Sequence, residues 1–264
     1  MTDLTKYFAS RQVAQRPRDA EPRRWQSVQV ACIVDGTSSM RDEITLVRDM
    51  FQQLMATLAG RYKRIQMTAG IYRDEDCRTP FAFYGGQTPE KAQFASGKDI
   101  AQLKAFLQAN CVCEANATNT EQMGAALHYG AHLPWTAQHR LIVHVGDNPS
   151  FGFMGTPEHC RFGLSTEQVI DQLKQNQVRT YMVQSYNNKN AAKEYAQIAN
   201  ATGGRHIPLS SFSVDDLAII IEAAVTHAVG GTVRTLLESA TKQGRLGAKP
   251  ARLLLGHFED ESNE

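Results

Sequence analysis

The sequence predicts an α/β fold in which a doubly wound, mostly parallel central sheet carries helices on both faces. Short apolar runs rich in β-branched residues alternate along the chain with segments of helical periodicity. The runs at 27–34 and 139–146 are short and rich in branched apolar residues, which is typical of strands buried on both faces of a parallel sheet. Regular alternation of strands and helices favours crossover connections, and these build a parallel sheet with helices packed against it.

The first half of the chain is predicted to supply three strands and three helices. Ile44, Val47 and Phe51 lie at spacings of three and four residues, which places them on one face of a helix. Pro80 cannot donate a backbone hydrogen bond, so the strand around it is predicted to lie at a sheet edge. In order, the elements are a strand at 27–34, a helix at 43–59, strands at 64–72 and 79–84, and helices at 98–109 and 120–132.

The second half continues the alternation after the strand at 139–146. A glycine-containing loop at 148–163 precedes a helix whose start is indicated by Ser165 and Gln168, which have the spacing of a capping box. The remaining elements are a strand at 179–185, a helix at 189–201, a short strand at 205–209 and a helix at 214–228.

Composition narrows the class of protein. The chain has 264 residues, 42% of them hydrophobic, which is enough to bury the core of one large domain. Its formal charge of +1 provides no overall electrostatic attraction to nucleic acid, and no apolar run is long enough to span a bilayer. The first residues, MTDLTKYFASRQ, do not have the pattern of a signal peptide, and the odd number of five cysteines fits a reducing compartment. We therefore expect a cytoplasmic protein.

The two ends of the chain differ from the middle. Residues 1–26 form a predicted basic N-terminal arm with little apolar periodicity, and residues 27–228 form the predicted main domain. Residues 229–264 contain a helix, a basic linker and an acidic tail. Within that segment, the apolar cluster Leu253–Leu255 is compatible with docking to another protein and with packing back onto the domain.

The stretch VQVACIVDGTSSMRDEI ends an apolar run in an aspartate that is followed by hydroxyl residues. Asp35, Thr37 and Ser39 alternate where a strand turns into a helix, so their side chains can converge beyond the sheet edge, where ligands collect in open parallel sheets. Thr118 precedes another helix, and Asp147 follows the predicted central strand. Carboxylate and hydroxyl oxygens are the ligands that Mg²⁺ prefers, and Mn²⁺ accepts the same set.

Four motifs in this chain resemble bacterial members of the von Willebrand factor A (vWA) family. The metal-ion-dependent adhesion site (MIDAS) of that family has the pattern D-x-S-x-S, then a threonine, then an aspartate, on three successive loops. Thr37 stands where the family usually has serine, so a hydroxyl is retained at that position. The glycines that commonly precede the family's threonine are absent before Thr118. The likeness covers about residues 27–228, and its motifs are DGTSSM at 35–40, YRD at 72–74, TNT at 118–120 and HVGDNP at 144–149.

The resemblance implies a Rossmann-like fold and a non-enzymatic module for binding other proteins. In such a site a Mg²⁺ ion, or Mn²⁺ in its place, leaves one coordination position for a glutamate or aspartate of a partner protein. The resemblance also implies an adaptor in a bacterial multi-protein system, with an ATPase, a kinase or another effector, for example in stress or phage defence. The implied metal ligands are Asp35, Thr37, Ser39, Thr118 and Asp147. The sequence is compatible with Asp74 both as an acid that supports these ligands and as part of an exposed acidic turn.

Other chemistries fit the residues less well. A haloacid dehalogenase phosphatase needs a nucleophilic aspartate where this chain has Ile33. Cys111 with Cys113, and His128 with His132, have spacings that zinc sites use, but the second half of a zinc site is not evident. A metal-dependent phosphoesterase or other hydrolase that uses the same ion remains the alternative function. In the binding hypothesis, the loop at 148–163 supplies apolar contact area through Phe151, Phe153 and Met154.

Overall fold

The computed structural model describes residues 27–259 apart from 42, 46, 50, 52, 53, 55–57, 59–63, 98, 115–119 and 209–215. The predicted basic arm at 1–26, the end of the acidic tail at 260–264 and the candidate ligand Thr118 lie outside the described residues.

The strands that the structure describes form one six-stranded sheet in the order β3-β2-β1-β4-β5-β6. Only β3 is antiparallel to its neighbour, and it lies at an edge, as Pro80 predicted. The other four pairings are parallel, which confirms the predicted doubly wound, mostly parallel α/β fold. The strands are β1 (Val28–Asp35), β2 (Ile65–Tyr72), β3 (Phe81–Phe83), β4 (His139–Gly146), β5 (Val178–Gln184) and β6 (His206–Pro208).

Helices connect the strands and extend the chain beyond β6. In the predicted helix at 43–59, every described residue is helical. The predicted capping box is present, since Gln168 N donates to Ser165 Oγ at 3.3 Å and Ser165 N donates to Gln168 Oε1 at 2.8 Å. Within the described part of the chain, no helix has both the length and the apolar character needed to cross a membrane. The helices with complete bounds are α1 (Ile100–Asn110), α2 (Met123–Ala131), α3 (Thr166–Gln175), α4 (Lys189–Ala201), α5 (Leu217–Ala228), α6 (Val233–Lys242) and α7 (Ala248–Glu259).

Each face of the sheet has its own apolar core. Because successive side chains of a strand point to opposite faces, β1 contributes Val30, Cys32 and Val34 to one core and Ala31 and Ile33 to the other. The first core is completed by helices α1, α5, α6 and α7, and the second by α2, α3 and α4. Burial of a large aliphatic side chain contributes about 1.5–3 kcal/mol, so the central strands are held firmly from both sides.

The C-terminal helices pack onto the first core. Leu254 and Leu255 of α7 are fully buried, and Phe258 packs its ring against Tyr181 of β5 and His227 of α5. Of the two roles that the sequence left open for the apolar cluster Leu253–Leu255, the structure therefore supports packing onto the domain.

The strand order determines where a ligand site can form. The chain leaves β1 for β2 on one side of it, whereas β4 lies on the other side. Neighbouring parallel strands whose connections run in opposite directions leave a crevice at their carboxyl ends. Asp35 is the last residue of β1, and Asp147 follows the last residue of β4, so both lie at this crevice.

Glu194 of α4 anchors the loop that leaves this crevice. Its side chain is 1% exposed and accepts hydrogen bonds from Ser150 N at 2.7 Å, from Ser150 Oγ, and from Thr166 Oγ1 at 2.9 Å. Burial raises the pKa of Glu194 from 4.5 to about 7, because these hydrogen bonds offset only part of the lost hydration and the charge of Glu167 acts in the same direction as burial.

We predict that Glu194→Gln reduces the pH dependence of stability. The folded protein binds a proton at Glu194 more tightly than the unfolded chain does, so this group's contribution to stability is present below pH 4.5 and is lost as the pH rises to about 7. Urea denaturation between pH 4.5 and 7.5 should therefore show a smaller fall in the free energy of unfolding for Glu194→Gln than for the wild type. The exposed Glu158→Gln should behave as the wild type, and equal slopes for all three proteins would contradict the prediction.

Candidate metal centre

The turn after β1 gathers three predicted ligands by local hydrogen bonds. Asp35 Oδ1 accepts hydrogen bonds from Thr37 N at 2.8 Å and from Thr37 Oγ1 at 2.7 Å. Thr37 Oγ1 in turn lies 3.0 Å from Ser39 Oγ. Asp35 and Thr37 are fully buried, whereas Ser39 is exposed. The 3₁₀ turn at Ser38–Met40 has no side-chain cap, so these hydroxyls do not serve as a helix cap.

Gly36 allows this turn to lie close to the end of β2. A Cβ atom at residue 36 would be 2.7 Å from Ile71 Cγ2 and 3.0 Å from Arg73 Nε, closer than such atoms normally approach. The absence of a side chain permits the backbone bonds from Gly36 N to Tyr72 O at 2.8 Å and from Glu114 N to Gly36 O at 3.1 Å. The second bond draws the chain after α1 towards the turn.

Asp147 reaches the same place from β4. Because β4 pairs directly with β1, the residue that follows Gly146 comes next to the Asp35 turn. Asp147 is 5% exposed, and its Oδ1 accepts a hydrogen bond from Asn148 Nδ2 at 3.0 Å. The structure thus brings Asp35, Thr37, Ser39 and Asp147 together, whereas Thr118 lies outside the described residues.

Glu121 is a member of this cluster that the sequence analysis did not identify. Its Oε1 lies 3.4 Å from Thr37 Oγ1 and 3.5 Å from Asn148 Nδ2, both long distances for a hydrogen bond. Glu121 N donates to Pro149 O at 3.0 Å and Phe151 N donates to Glu121 O at 3.4 Å, so its backbone pairs with the loop after β4. The available signal was an acidic residue three positions after Thr118, directly before the apolar residues of α2.

The three carboxylates lie together without a compensating positive charge. Ligand oxygens of Asp35, Glu121 and Asp147 are all within 4.8 Å of one another, and all three residues are buried. Asp35 Oδ2 and Glu121 Oε2 have no hydrogen-bond partner, and none of the ion pairs among the described residues involves this triad. Buried polar atoms are nearly always paired in native proteins, so these two oxygens call for a partner beyond those that the described residues supply.

The pKa values of the triad report the same deficit of positive charge. Burial is the largest cause that raises the pKa of all three carboxyls. The charge of Asp147 adds to the rise at Asp35, and the charges of Asp35 and Asp74 add to the rise at Glu121. A hydrogen bond with Ser39 opposes the rise at Asp147. A hard divalent cation would relieve this repulsion, and the oxygens of this donor set fit one.

Arg73 is the buried arginine of the YRD motif, and its ion pair is with Glu114 rather than with a carboxylate of the triad. It is 1% exposed, and its terminal nitrogens donate to the carbonyl oxygens of Thr79, Asn110 and Val112 at 2.6–2.9 Å. Its Nε lies 3.6 Å from Glu114 Oε1. Arg73 therefore holds the segment after α1 in position, and the adjacent Asp74, which is 4% exposed, adds negative charge to the site.

A neutral aromatic layer lies beneath the triad. His144 of β4 is fully buried, its Nε2 lies 3.0 Å from the hydroxyl of Tyr72, and burial lowers its pKa to about 3. Tyr195 packs edge-on to His144 and donates to Asn148 O at 3.2 Å. His144 is thus a neutral core residue that supports the site from below and brings no positive charge to it.

The cysteine and histidine pairs whose spacings resemble those of zinc sites do not form such sites among the described residues. Within the described residues, the acidic triad is the only group of three or more His, Cys, Asp and Glu side chains close enough to share an ion. All five cysteines are free. His128 Nδ1 lies 2.6 Å from Gln172 Oε1, and its ring packs against that of His132, so the helical histidine pair is engaged in packing.

The loop after β4 exposes less apolar surface than its sequence indicated. Phe151 is only partly exposed, because it packs against the second core and the ring of His159. Phe153 is half-buried, whereas Met154 is 44% exposed and Phe162 is 38% exposed. The apolar surface that this loop offers to a partner therefore centres on Met154 and Phe162.

Comparison with known proteins agrees with this architecture. The chain resembles a solved structure of the pilus adhesin SpaC from Lactobacillus rhamnosus GG in an open conformation, with a TM-score of 0.55 and 8% sequence identity. The likeness covers 77% of this chain but only 30% of the adhesin chain, and at this identity it shows the fold alone. No curated protein matches the sequence significantly. The family model for the von Willebrand factor type A domain matches residues 29–221, most of the chain, and the protein therefore belongs to that family.

Proposed function

We propose that this protein is a Mg²⁺-dependent module for binding other proteins, with a metal-ion-dependent adhesion site of bacterial type. The proposed ligands are Asp35, Thr37, Ser39, Thr118 and Asp147, and Mn²⁺ can replace Mg²⁺ in such a set. The observation that carries the proposal is the buried group of carboxylates, two of whose oxygens have no hydrogen-bond partner among the residues that the structure describes. The vWA domain is a fold that mediates protein–protein interaction, and the centre lies at the crevice where such sheets bind ligands.

The chemistry of the donor set explains how such a centre would capture a partner. Asp35 and Asp147 together neutralise a divalent ion, and hydroxyl oxygens complete its shell without adding charge. A partner's glutamate or aspartate then supplies a further oxygen at an open position. The neighbouring surface, with the exposed Met154, adds apolar contact area that distinguishes one partner from another.

The proposed setting is a cytoplasmic adaptor that joins an ATPase, a kinase or another effector in a stress- or phage-defence system. The five free cysteines, four of which are buried, fit a reducing compartment. Acidic partner side chains are the expected ligands, and neither membrane nor nucleic acid binding is part of the proposal.

The hydrolase alternative shares the same ion and gains one feature from the structure. An enzyme would need an acid or base within reach of the metal, and Glu121 is an acid in that position. Two observations favour binding over hydrolysis: the family mediates protein interactions, and Glu121 is 1% exposed. We therefore expect no turnover of a chromogenic phosphate ester with Mg²⁺ or Mn²⁺. Hydrolysis that Asp35→Asn abolishes would establish the alternative.

We predict that Asp35→Asn removes metal binding without unfolding the protein. The amide oxygen can still accept both hydrogen bonds from Thr37, while the loss of one buried charge relieves repulsion with Asp147. In isothermal titration calorimetry, Mg²⁺ affinity should fall at least about tenfold, which is about 1.4 kcal/mol. In wild type, Mg²⁺ at ten times its dissociation constant should stabilise the fold by about 1.4 kcal/mol.

The control for this experiment is the melting temperature of the metal-free proteins. Asp35→Asn should melt at or above the temperature of the wild type. A large decrease would show that Asp35 is needed for the fold itself, and an unchanged Mg²⁺ affinity would exclude Asp35 as a ligand.

We predict that Met154→Ser weakens partner capture and leaves metal affinity unchanged. Met154 is 44% exposed in the loop that follows Asp147 and is not a proposed ligand, so its loss should remove contact area only. Capture of partner proteins from native cells should be compared for the wild type in Mg²⁺, for the wild type in chelator and for Asp35→Asn in Mg²⁺. Only a metal-bridged partner should be lost both in chelator and with Asp35→Asn. Phe151→Ser is the contrasting variant: it should lower the melting temperature, because Phe151 packs on the core. Undiminished capture by Met154→Ser would remove this surface from the interface.

A further inference from the structure

Glu121 is absent from the predicted ligand set, yet the fold places its carboxylate beside that set. We infer that Glu121 is an internal ligand of the ion and occupies the coordination position that a partner's carboxylate must take. Capture of a partner then requires that Glu121 be displaced. This inference rests on the proposed function, because it concerns the regulation of the same centre.

The backbone delivers Glu121 to the centre. Its N–H and C=O are paired with Pro149 and Phe151, which flank Ser150, and Ser150 is held by the buried Glu194. The segment bearing Glu121 and the loop that follows Asp147 therefore form one hydrogen-bonded unit. With 1% exposure, the side chain has no hydrated alternative in this structure.

The distances fit direct ligation. Oxygens bound to one Mg²⁺ at about 2.1 Å in octahedral geometry are separated by roughly 3 Å when adjacent and roughly 4.2 Å when opposite. Ligand oxygens of Asp35, Glu121 and Asp147 already lie within 4.8 Å of one another. Spacings of this size are compatible with three carboxylates that share one ion.

The hydrogen bonds of Glu121 are too weak for a purely structural acid. Among the described residues, its Oε1 has only the two long contacts, 3.4 Å to Thr37 Oγ1 and 3.5 Å to Asn148 Nδ2, and Oε2 has no partner. Glu194 provides the contrast within the same loop system, because three donors from Ser150 and Thr166 satisfy its carboxylate. A buried carboxylate without strong donors, facing two others, has the environment of a metal ligand.

Charge makes Glu121 a competitor of the partner. A divalent ion with Asp35 and Asp147 is neutral and accepts a further carboxylate readily. With Glu121 also bound, the centre carries one negative charge, and a fourth carboxylate would meet repulsion in a buried setting where screening is weak. An arriving acidic side chain therefore binds well only after Glu121 has left the ion.

The test uses the full chain loaded with Mn²⁺ and two measurements. Titration of Mn²⁺ gives its affinity, and water-proton relaxation reports how many exchangeable waters the bound ion carries. Acetate serves as the probe for a partner's carboxylate. The variants are Glu121→Gln, which is nearly isosteric and removes the charge, and Glu121→Asp, which keeps the charge on a shorter side chain. Glu222→Gln is the matched control, because Glu222 is equally buried but lies on α5 and faces Arg245.

For Glu121→Gln we expect Mn²⁺ affinity at least about tenfold below that of the wild type, a higher water-proton relaxation rate per bound ion, and a fall in that rate on addition of acetate. Glu121→Asp should also show more bound water than the wild type. The wild type and Glu222→Gln should show a low rate that responds little to acetate.

Two other results would overturn separate claims. If Glu121→Gln and Glu121→Asp match the wild type in affinity, bound water and acetate response, Glu121 is not a ligand, although the metal centre itself stands. If the wild type does not bind Mn²⁺ at all, the proposed function fails and the inference fails with it.

Discussion

The repulsion among three buried carboxylates at the carboxyl edge of the sheet is the constraint on which this site depends. Asp35, Glu121 and Asp147 have lost most of their hydration, and the polypeptide offers them few donors and no contacting cation among the described ion pairs. Without a metal, such a group must retain protons, and its raised pKa values express that need. A divalent cation would remove this repulsion.

The fold keeps the three acids together despite their repulsion because a different element holds each of them in place. Asp35 ends the central strand β1, which is buried on both faces, and Asp147 follows its neighbour β4. Backbone pairing fixes Glu121 to the loop after β4. The guanidinium of Arg73 donates hydrogen bonds to backbone carbonyl oxygens, so it orders the loops around the centre without neutralising the triad. The backbone positions of the three acids are therefore fixed by well-packed parts of the domain, while the side chain of Glu121 retains its own torsional freedom.

Different features of this protein bear on its fold and on its function. The family match and the likeness to a pilus adhesin establish a vWA architecture, and a fold alone does not specify a partner or a reaction. The site carries the functional argument, through its oxygens, its charge and its burial. Glu121 distinguishes this site, because it adds a third buried carboxylate to the two aspartates. The same residue supplies the acid that a hydrolase would need, so only turnover measurements separate the two chemistries.

The sequence by itself determined the sheet, the alternation with helices, the edge position of the strand near Pro80 and the convergence of Asp35, Thr37, Ser39 and Asp147. These features follow from short-range periodicity and from the rule that parallel strands bring their carboxyl ends to one edge. Only the tertiary structure decided that Glu121 joins the cluster, that Arg73 supports the loops, that Phe151 faces the core and that Leu254 and Leu255 pack inward. Each of these depends on which distant segments meet, as in the contact between Thr37 and Glu121 across 84 residues, and no local pattern encodes such a meeting.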